Sequence, residues 1–258
     1  MRKIKSFGQH FLKHPQIAEQ IAQSLQLPDE PNHKAVVIEI GPGEGVLTQF
    51  LINRAEIELF AVEIDRRLPD YLKKRFPALE GHIIEADVLK VHFEDYIGNQ
   101  PFWLIGNFPY NISSQILFKA LHYRQSVKQV VGMFQKEVAQ RITAKEGSKQ
   151  YGILSVLMQA YFKTEYLFEV SAGSFDPPPQ VQSAVVRLSP TNLYAATIQN
   201  EQNFTQTVKQ AFNQRRKMLR NALQPLRFDF DRLPPALPQM RAEQISVAGF
   251  IELANAML

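Results

Sequence analysis

Apolar and polar positions along the chain follow two rhythms. Residues 14–27 carry Ile17, Ile21 and Leu25 on one helical stripe, with Pro15 suited to a first turn. After a loop holding Pro28 and Pro31 comes AVVIEI at 35–40, a short apolar run closed by glycines, which predicts a buried parallel strand. Comparable runs recur at 57–64, 82–86, 102–106 and 128–134, and helical periodicity fills the gaps at 46–54, 67–76, 112–121 and 136–144. Such alternation predicts an α/β fold, a Rossmann-like parallel sheet with helices on both faces. Two more strands, at 164–170 and 183–188, flank a proline-rich loop and predict a closing hairpin at one sheet edge. Past Pro190 the strand rhythm stops. Phe204, Val208 and Phe212 mark one helix and Met218, Leu219, Ala222 and Leu223 another; a proline-rich stretch at 233–238 leads to a last helix near Leu258. The expected organisation is a sheet domain over residues 1–190 and a small C-terminal all-α domain over 191–258.

Composition narrows the function classes. Hydrophobic residues make up 45% and charged residues 21% of the 258, a globular balance. No apolar run nears the ~18 residues of a membrane span. The basic N-terminus lacks the apolar core of a secretory signal, so a cytoplasmic address is expected. With 0 cysteines, a disulfide framework, an iron–sulfur cluster and a Cys-type zinc site are excluded. His10 and His14 have no acidic ligand near them, so no metal site is expected.

The formal charge of +4 is mild, but its placement is not random. Between Gln202 and Phe228 stand Lys209, Arg215, Arg216, Lys217, Arg220 and Arg227 with no acid, and Arg2, Lys3 and Lys5 open the chain in the same way. A solvated helix face usually mixes both signs, so these stretches predict phosphate contacts.

GPGEG at 41–45 follows the first buried strand and precedes a helix, where glycines allow a tight turn and close approach to a ligand. Nicotinamide folds use G-x-G-x-x-G to seat a pyrophosphate; here the spacing is G-x-G-x-G. Glu39 and Glu44 beside it would repel a pyrophosphate and tolerate a cationic sulfonium. Gly41, Gly43 and Gly45 therefore predict S-adenosylmethionine, leaving as S-adenosylhomocysteine, and place a dehydrogenase last. Polar residues then recur at strand ends: Glu63 lies 22 positions after Gly41, Asp87 a further 24, Asn107 a further 20. Carboxyl ends of doubly wound strands converge on one crevice. Glu63 is expected to accept from the ribose hydroxyls and Asp87 to pair with the adenine amino group of the cofactor.

NFPY at 107–110 closes the fourth strand. An exocyclic amine is a poor nucleophile because its lone pair is delocalised into the ring. Acceptors on both its hydrogens pull the nitrogen toward tetrahedral geometry and free that pair. The Asn107 side-chain oxygen and the Pro109 carbonyl suit this task, and Tyr110 would stack on the base and hold it in line. Phe175, in SFDPPP at 174–179, is a candidate second stacking surface.

These motifs occur in order with FGQHFL at 7–12, VEID at 62–65, EADV at 85–88, QKEVAQR at 135–141 and RRKMLRN at 215–221. Together they resemble the KsgA (RsmA) family of small-subunit rRNA dimethyladenosine transferases over nearly the whole chain. The resemblance implies a class I S-adenosylmethionine-dependent methyltransferase that dimethylates two adjacent adenosines in a hairpin near the 3′ end of 16S rRNA, on the immature small ribosomal subunit. It implies that His10 and Leu12 cover the methionine end of the cofactor, that Ile64 and Val88 join Glu63, Asp87 and Asn107 around it, and that Arg141, Arg215, Arg216, Lys217 and Arg220 bind RNA. The family often has Asn where His10 stands and usually Leu where Phe108 stands; a bulkier ring would narrow the room for a second methyl. Two rivals are a 23S rRNA methyltransferase of the erythromycin-resistance type and a non-catalytic RNA-binding assembly factor. RRKMLRN and QKEVAQR fit the small-subunit enzymes better than the first, and Asn107, Pro109 and Tyr110 argue against the second. Nothing demands a dimer, and a monomer is expected.

Overall fold

Six consecutive apolar-rich residues, Ala35–Ile40, form a strand buried along its whole length, as a central parallel strand must be when both faces are covered. The computed structural model in which it lies describes residues 10–28, 33–194 and 196–258. Arg2, Lys3, Lys5, the 7–9 start of the N-terminal motif and Pro31 lie outside them. In chain order the first half runs β1 (Phe11–Leu12), α1 (Pro15–Gln23), β2 (Ala35–Ile40), α2 (Thr48–Leu51), β3 (Ile57–Glu63), α3 (Pro69–Arg75), β4 (Ile83–Glu85), α4 (Glu94–Ile97), β5 (Phe102–Asn107), α5 (Ser113–His122) and β6 (Val127–Gln135). It continues with α6 (Lys136–Thr143), α7 (Ile153–Gln159), β7 (Phe162–Val170), β8 (Phe175–Asp176), β9 (Ser183–Pro190), α8 (Glu201–Asn213), α9 (Leu219–Ala222) and α10 (Val247–Asn255).

Seven strands make one sheet in the order β4-β3-β2-β5-β6-β9-β7, while β1 and β8 pair separately. β2 is parallel to both β3 and β5, and β9 is antiparallel to β6. The chain therefore winds outward from β2 in one direction to β4 and then crosses to β5. That reversal is a topological switch point, where the loops after β2 and β5 diverge and leave a crevice at the strands' carboxyl ends. The expected closing strands are β7 and β9, with β9 inserted between β6 and β7.

Two compact units emerge: one built from the chain up to Ala139 with Glu165–Ser189, the other from Gln140–Thr164 with Pro190–Leu258. The change of character expected at 190 falls at this boundary, but residues 140–164, assigned by sequence to the sheet domain, belong to the helical unit. Their pattern marks no helix beyond 144; the structure has α7, whose Val156 and Leu157 are buried and which packs against α8. In α8 the buried residues Phe204, Thr207, Val208 and Ala211 fall at helical spacing, and the Asn200 side chain caps the helix by accepting from the Asn203 N–H. Burying one such phenylalanine stabilises by ~1.5–3 kcal/mol. Phe212 stacks on Phe250 of α10 with ring centroids 5.5 Å apart.

Candidate active site

The turn after β2 is built by glycines with left-handed backbones: Gly41 at φ 68°, Gly43 at φ 58° and Gly45 at φ 81°. Two of them also meet hard steric limits. A Cβ on Gly43 would lie 2.9 Å from the Phe11 ring, and one on Gly45 would lie 2.3 Å from the Phe76 ring. Gly41 and Gly43 line a cleft of about 1030 Å³, including solvent at its mouth; Gly45 does not. The expectation for Gly45 is thereby corrected: it faces the end of α3, and its lack of a side chain serves packing rather than ligand approach.

Glu63 and Asp87 line the same cleft, as do Ile64 and Val88. Glu63 is fixed at the end of β3 by two backbone donors, Gly43 N–H to Oε2 at 3.2 Å and Asp65 N–H to Oε1 at 2.9 Å. Burial pushes its carboxyl above the usual range, against the lowering effect of those two N–H groups. Each oxygen keeps a lone pair for a ligand hydroxyl. Asp87 Oδ1 accepts from the Leu89 N–H at 3.0 Å, so this side chain both closes a turn and faces the cleft. Ile64 is 47% exposed, an apolar side chain held at the cleft's edge. Sequence reasoning undervalued Glu39. It is only 1% exposed, lies on the cleft wall, and accepts a hydrogen bond from Thr48 Oγ1 at 2.7 Å. A glutamate inside an otherwise apolar strand was the signal.

At the end of β5, Asn107, Phe108, Pro109 and Tyr110 reach the cleft from the other side of the switch point, and His10 and Leu12 close it from the N-terminal strand. The Asn107 Nδ2 donates to the His10 carbonyl at 2.9 Å, which leaves Oδ1 available as an acceptor. The Pro109 carbonyl accepts from the Ile112 N–H at 3.1 Å, using one of its two lone pairs. Tyr110 is held twice: its hydroxyl shares a 2.5 Å hydrogen bond with Ser183 Oγ, and its ring stacks on His10 at 5.4 Å and 27°. Burial pushes the Tyr110 phenol above its ordinary range. The His10 Nδ1 lies 2.8 Å from the Pro177 carbonyl, which can only accept, so Nδ1 carries the proton. Nothing in the sequence pattern singled out Ser183, which is fully buried at the start of β9.

Two expectations change. Phe175 is not a stacking surface: it is 0% exposed and sits in the core with Leu12 and Val185. Its two-residue strand pairs with β1, Phe175 opposite Leu12, which turns the ring inward while the prolines follow it. Phe108 borders the cleft but is only 1% exposed, and most of its ring is packed against the neighbouring strand. Its ring meets Phe134 edge-on at 5.2 Å, and a Cβ on Gly132 would come within 2.3 Å of it. Part of the extra bulk is therefore taken up over a glycine of the next strand rather than wholly within the cleft.

In the helical unit, Arg141, Arg216, Lys217 and Arg220 are exposed. Arg215 differs. Its Nε is 3.3 Å from Glu243 Oε2 and its Nη2 donates to the Ser148 carbonyl at 3.3 Å. The acid-free stretch read along the sequence thus acquires a negative partner from 28 residues away. Among the described residues, no group of three or more His, Cys, Asp or Glu is arranged to hold a metal ion, and no helix is long and apolar enough to cross a membrane.

Comparison with known proteins gives a consistent result. The chain is 48% identical over 253 residues to the ribosomal RNA small subunit methyltransferase A of Bacteroides thetaiotaomicron, covering 97% of this chain and 92% of that protein. It is 46% identical over 258 residues to the protein of the same name from Cytophaga hutchinsonii, covering 99% and 98%. Among solved structures, a dimethyladenosine transferase from Plasmodium falciparum superposes with a TM-score of 0.77 at 25% identity, covering 96% of this chain and 99% of that one. The 23S rRNA methyltransferase ErmE shares the fold, with a TM-score of 0.72 at 24% identity over 96% and 99%. The ribosomal RNA adenine dimethylase family model matches residues 1–257, and this chain belongs to that family.

Proposed function

We propose that this chain transfers methyl groups from S-adenosylmethionine to N6 of two adjacent adenosines in a hairpin near the 3′ end of 16S rRNA, during small-subunit assembly in the cytoplasm. The observation that carries the reading is the orientation of Asn107. One N–H of its amide is committed to the His10 backbone carbonyl, which fixes the amide's orientation and leaves Oδ1 available as an acceptor. A target amine needs acceptors.

The residues fit the methyl donor: a glycine turn for its amino-acid portion, Glu63 for its ribose, Asp87 with Ile64 and Val88 for its base, and His10 and Leu12 as the cover. When bound, S-adenosylmethionine supplies an electrophilic methyl carbon and leaves as S-adenosylhomocysteine. Asn107 Oδ1 takes one hydrogen of the adenine amine, and the free lone pair of the Pro109 carbonyl takes the other. The amine nitrogen would then localise its electron pair toward the methyl carbon that the bound donor would supply, whose sulfur would keep the electrons of the bond it gives up. Its surplus proton leaves after bond formation, so the side chains need supply no strong base. Tyr110, fixed by Ser183 and His10, stacks on the base and holds the nitrogen in line. The helical unit, with Arg141, Arg216, Lys217 and Arg220, is the RNA-binding part, and the chain acts as a monomer.

Mass spectrometry of ribosomal RNA from cells lacking this protein tests the reading. The two dimethylated adenosines of 16S rRNA should be absent and should return on complementation. Intact 16S modification with loss of a 23S methyl group would transfer the chain to the large-subunit reading.

A further inference from the structure

Asp87 does more than face the cleft; it builds the turn that carries it. Its Oδ1 accepts from the Leu89 N–H at 3.0 Å, and its backbone carbonyl accepts from the Lys90 and Val91 N–H groups at 2.9 and 3.2 Å. Val88 of the same turn is buried and lines the cleft. This segment is docked onto α5. Ile112, Ile116, Lys119 and Tyr123 recur at helical spacing from one end of α5 to the other. Ile112 lines the cleft and Ile116 is buried. Lys119 Nζ donates to the Val91 carbonyl at 2.5 Å and stands 5.0 and 5.5 Å from the ring centroids of Phe93 and Tyr123. The Tyr123 hydroxyl donates to Glu94 Oε2 at 2.7 Å, beyond the turn. Val91 is thus shared: its N–H goes to Asp87 and its carbonyl to Lys119. Burial lowers the Lys119 ammonium below its ordinary range, while the Glu94 and Asp87 carboxylates oppose that fall.

We propose that Lys119 is a positioning residue for cofactor recognition: by holding the Val91 carbonyl against α5 it sets the angle at which Asp87 meets the cofactor's base, and so the cleft's preference for adenine. The inference rests on the reading that the cleft takes S-adenosylmethionine with its adenine amino group at Asp87. Lys119 itself touches neither the cofactor nor the target base. A carboxylate accepts from a 6-amino group and repels a 6-oxo group, and the accepted bond weakens steeply once its alignment is lost. A turn released from α5 keeps the Asp87 carboxylate but not its aim. Discrimination between bases therefore suffers more than the affinity supplied by the ribose and the amino acid, which are held at Glu63 and the glycine turn.

Calorimetry of the full chain, with S-adenosylhomocysteine and with the same thioether carrying hypoxanthine in place of adenine, tests this directly. The two ligands share ribose and amino acid, so the ratio of their dissociation constants isolates the base. The wild-type chain should prefer adenine. K119M, which keeps an apolar stem beside Phe93 and removes the ammonium, should lower that preference by about three- to tenfold, the scale of one hydrogen bond. K119R, which can still donate to the Val91 carbonyl, should restore most of it. A merely structural lysine would weaken both ligands alike and leave the ratio in place. That result overturns the proposal, as does a K119R ratio as low as that of K119M. If K119M does not fold, K119Q, neutral and shorter, must show the same fall, and an unchanged ratio there is equally fatal. A wild-type chain that binds both thioethers equally, or neither, would instead remove the base from Asp87, and this inference with it.

Discussion

The Asn107 side chain reaches across 97 residues to donate to the His10 carbonyl at 2.9 Å. One hydrogen bond thereby joins the N-terminal cover of the cleft to the residue that would polarise the target amine. Its direction matters as much as its length, since the bond from the amide nitrogen to protein backbone fixes the amide and leaves its oxygen available to accept.

Asn107→Ala should therefore cut turnover by about 10²–10³, the range typical for losing one preorganised polar contact to a reacting group. Cofactor affinity by calorimetry should change far less, because Glu63, Asp87 and the glycine turn remain. Turnover within threefold of the parent would remove the amide oxygen from the reaction.

Glu63 is held by the Gly43 and Asp65 N–H groups so that both oxygens project from the end of β3. Glu63→Ala should raise the S-adenosylmethionine dissociation constant at least tenfold, as a lost hydrogen bond to a charged group is worth ~1.5–3 kcal/mol. An unchanged constant would displace this residue from the ribose.

Much of this cleft was readable in advance because it is made of strand ends. Apolar runs place the strands, the connection pattern places the switch point, and Glu63, Asp87 and Asn107 fall there by spacing alone. What escaped is what depends on contacts between distant segments. Gly45 carries the same letter as Gly43, yet one meets Phe76 and the other Phe11. Phe175 looked presented by its prolines, but pairing with Leu12 buried it. Ser183 is one serine among many until Tyr110 reaches it. The helix α7 was missed because its apolar residues continue without a polar face that periodicity can detect.

The basic residues of the helical unit divide in the same way. Arg216, Lys217 and Arg220 expose their charge, whereas Arg215 is tied to Glu243 and the Ser148 carbonyl. Changing the first three to glutamine should weaken RNA binding and lower its log–log salt slope by roughly one unit per lost phosphate contact. Arg215→Gln should act mainly on stability. A partly exposed pair contributes ~0.2–1 kcal/mol, so melting should drop by about 1–3 °C with little change in slope. The opposite pattern, slope lost with Arg215 and kept without the other three, would reverse this division.

Tyr110 and Ser183 offer the most discriminating test of how the target base is positioned. The phenol shares its hydrogen bond with a serine that is itself fully buried at the start of β9, so the ring's angle is set from beneath rather than by solvent. Tyr110→Phe keeps the stacking ring and removes that tether; Ser183→Ala removes it from the other end. If the tether serves to aim the ring, each change should lower kcat by about three- to thirtyfold, since a neutral hydrogen bond is worth ~0.5–1.5 kcal/mol and misaim adds to it. KM for RNA should move less, and the double variant should be no worse than either single one, because both delete the same interaction. Tyr110→Ala, which removes the stacking face as well, should fall well below all three. Independent, multiplying losses in the double variant would mean that Ser183 supports the sheet and not the ring.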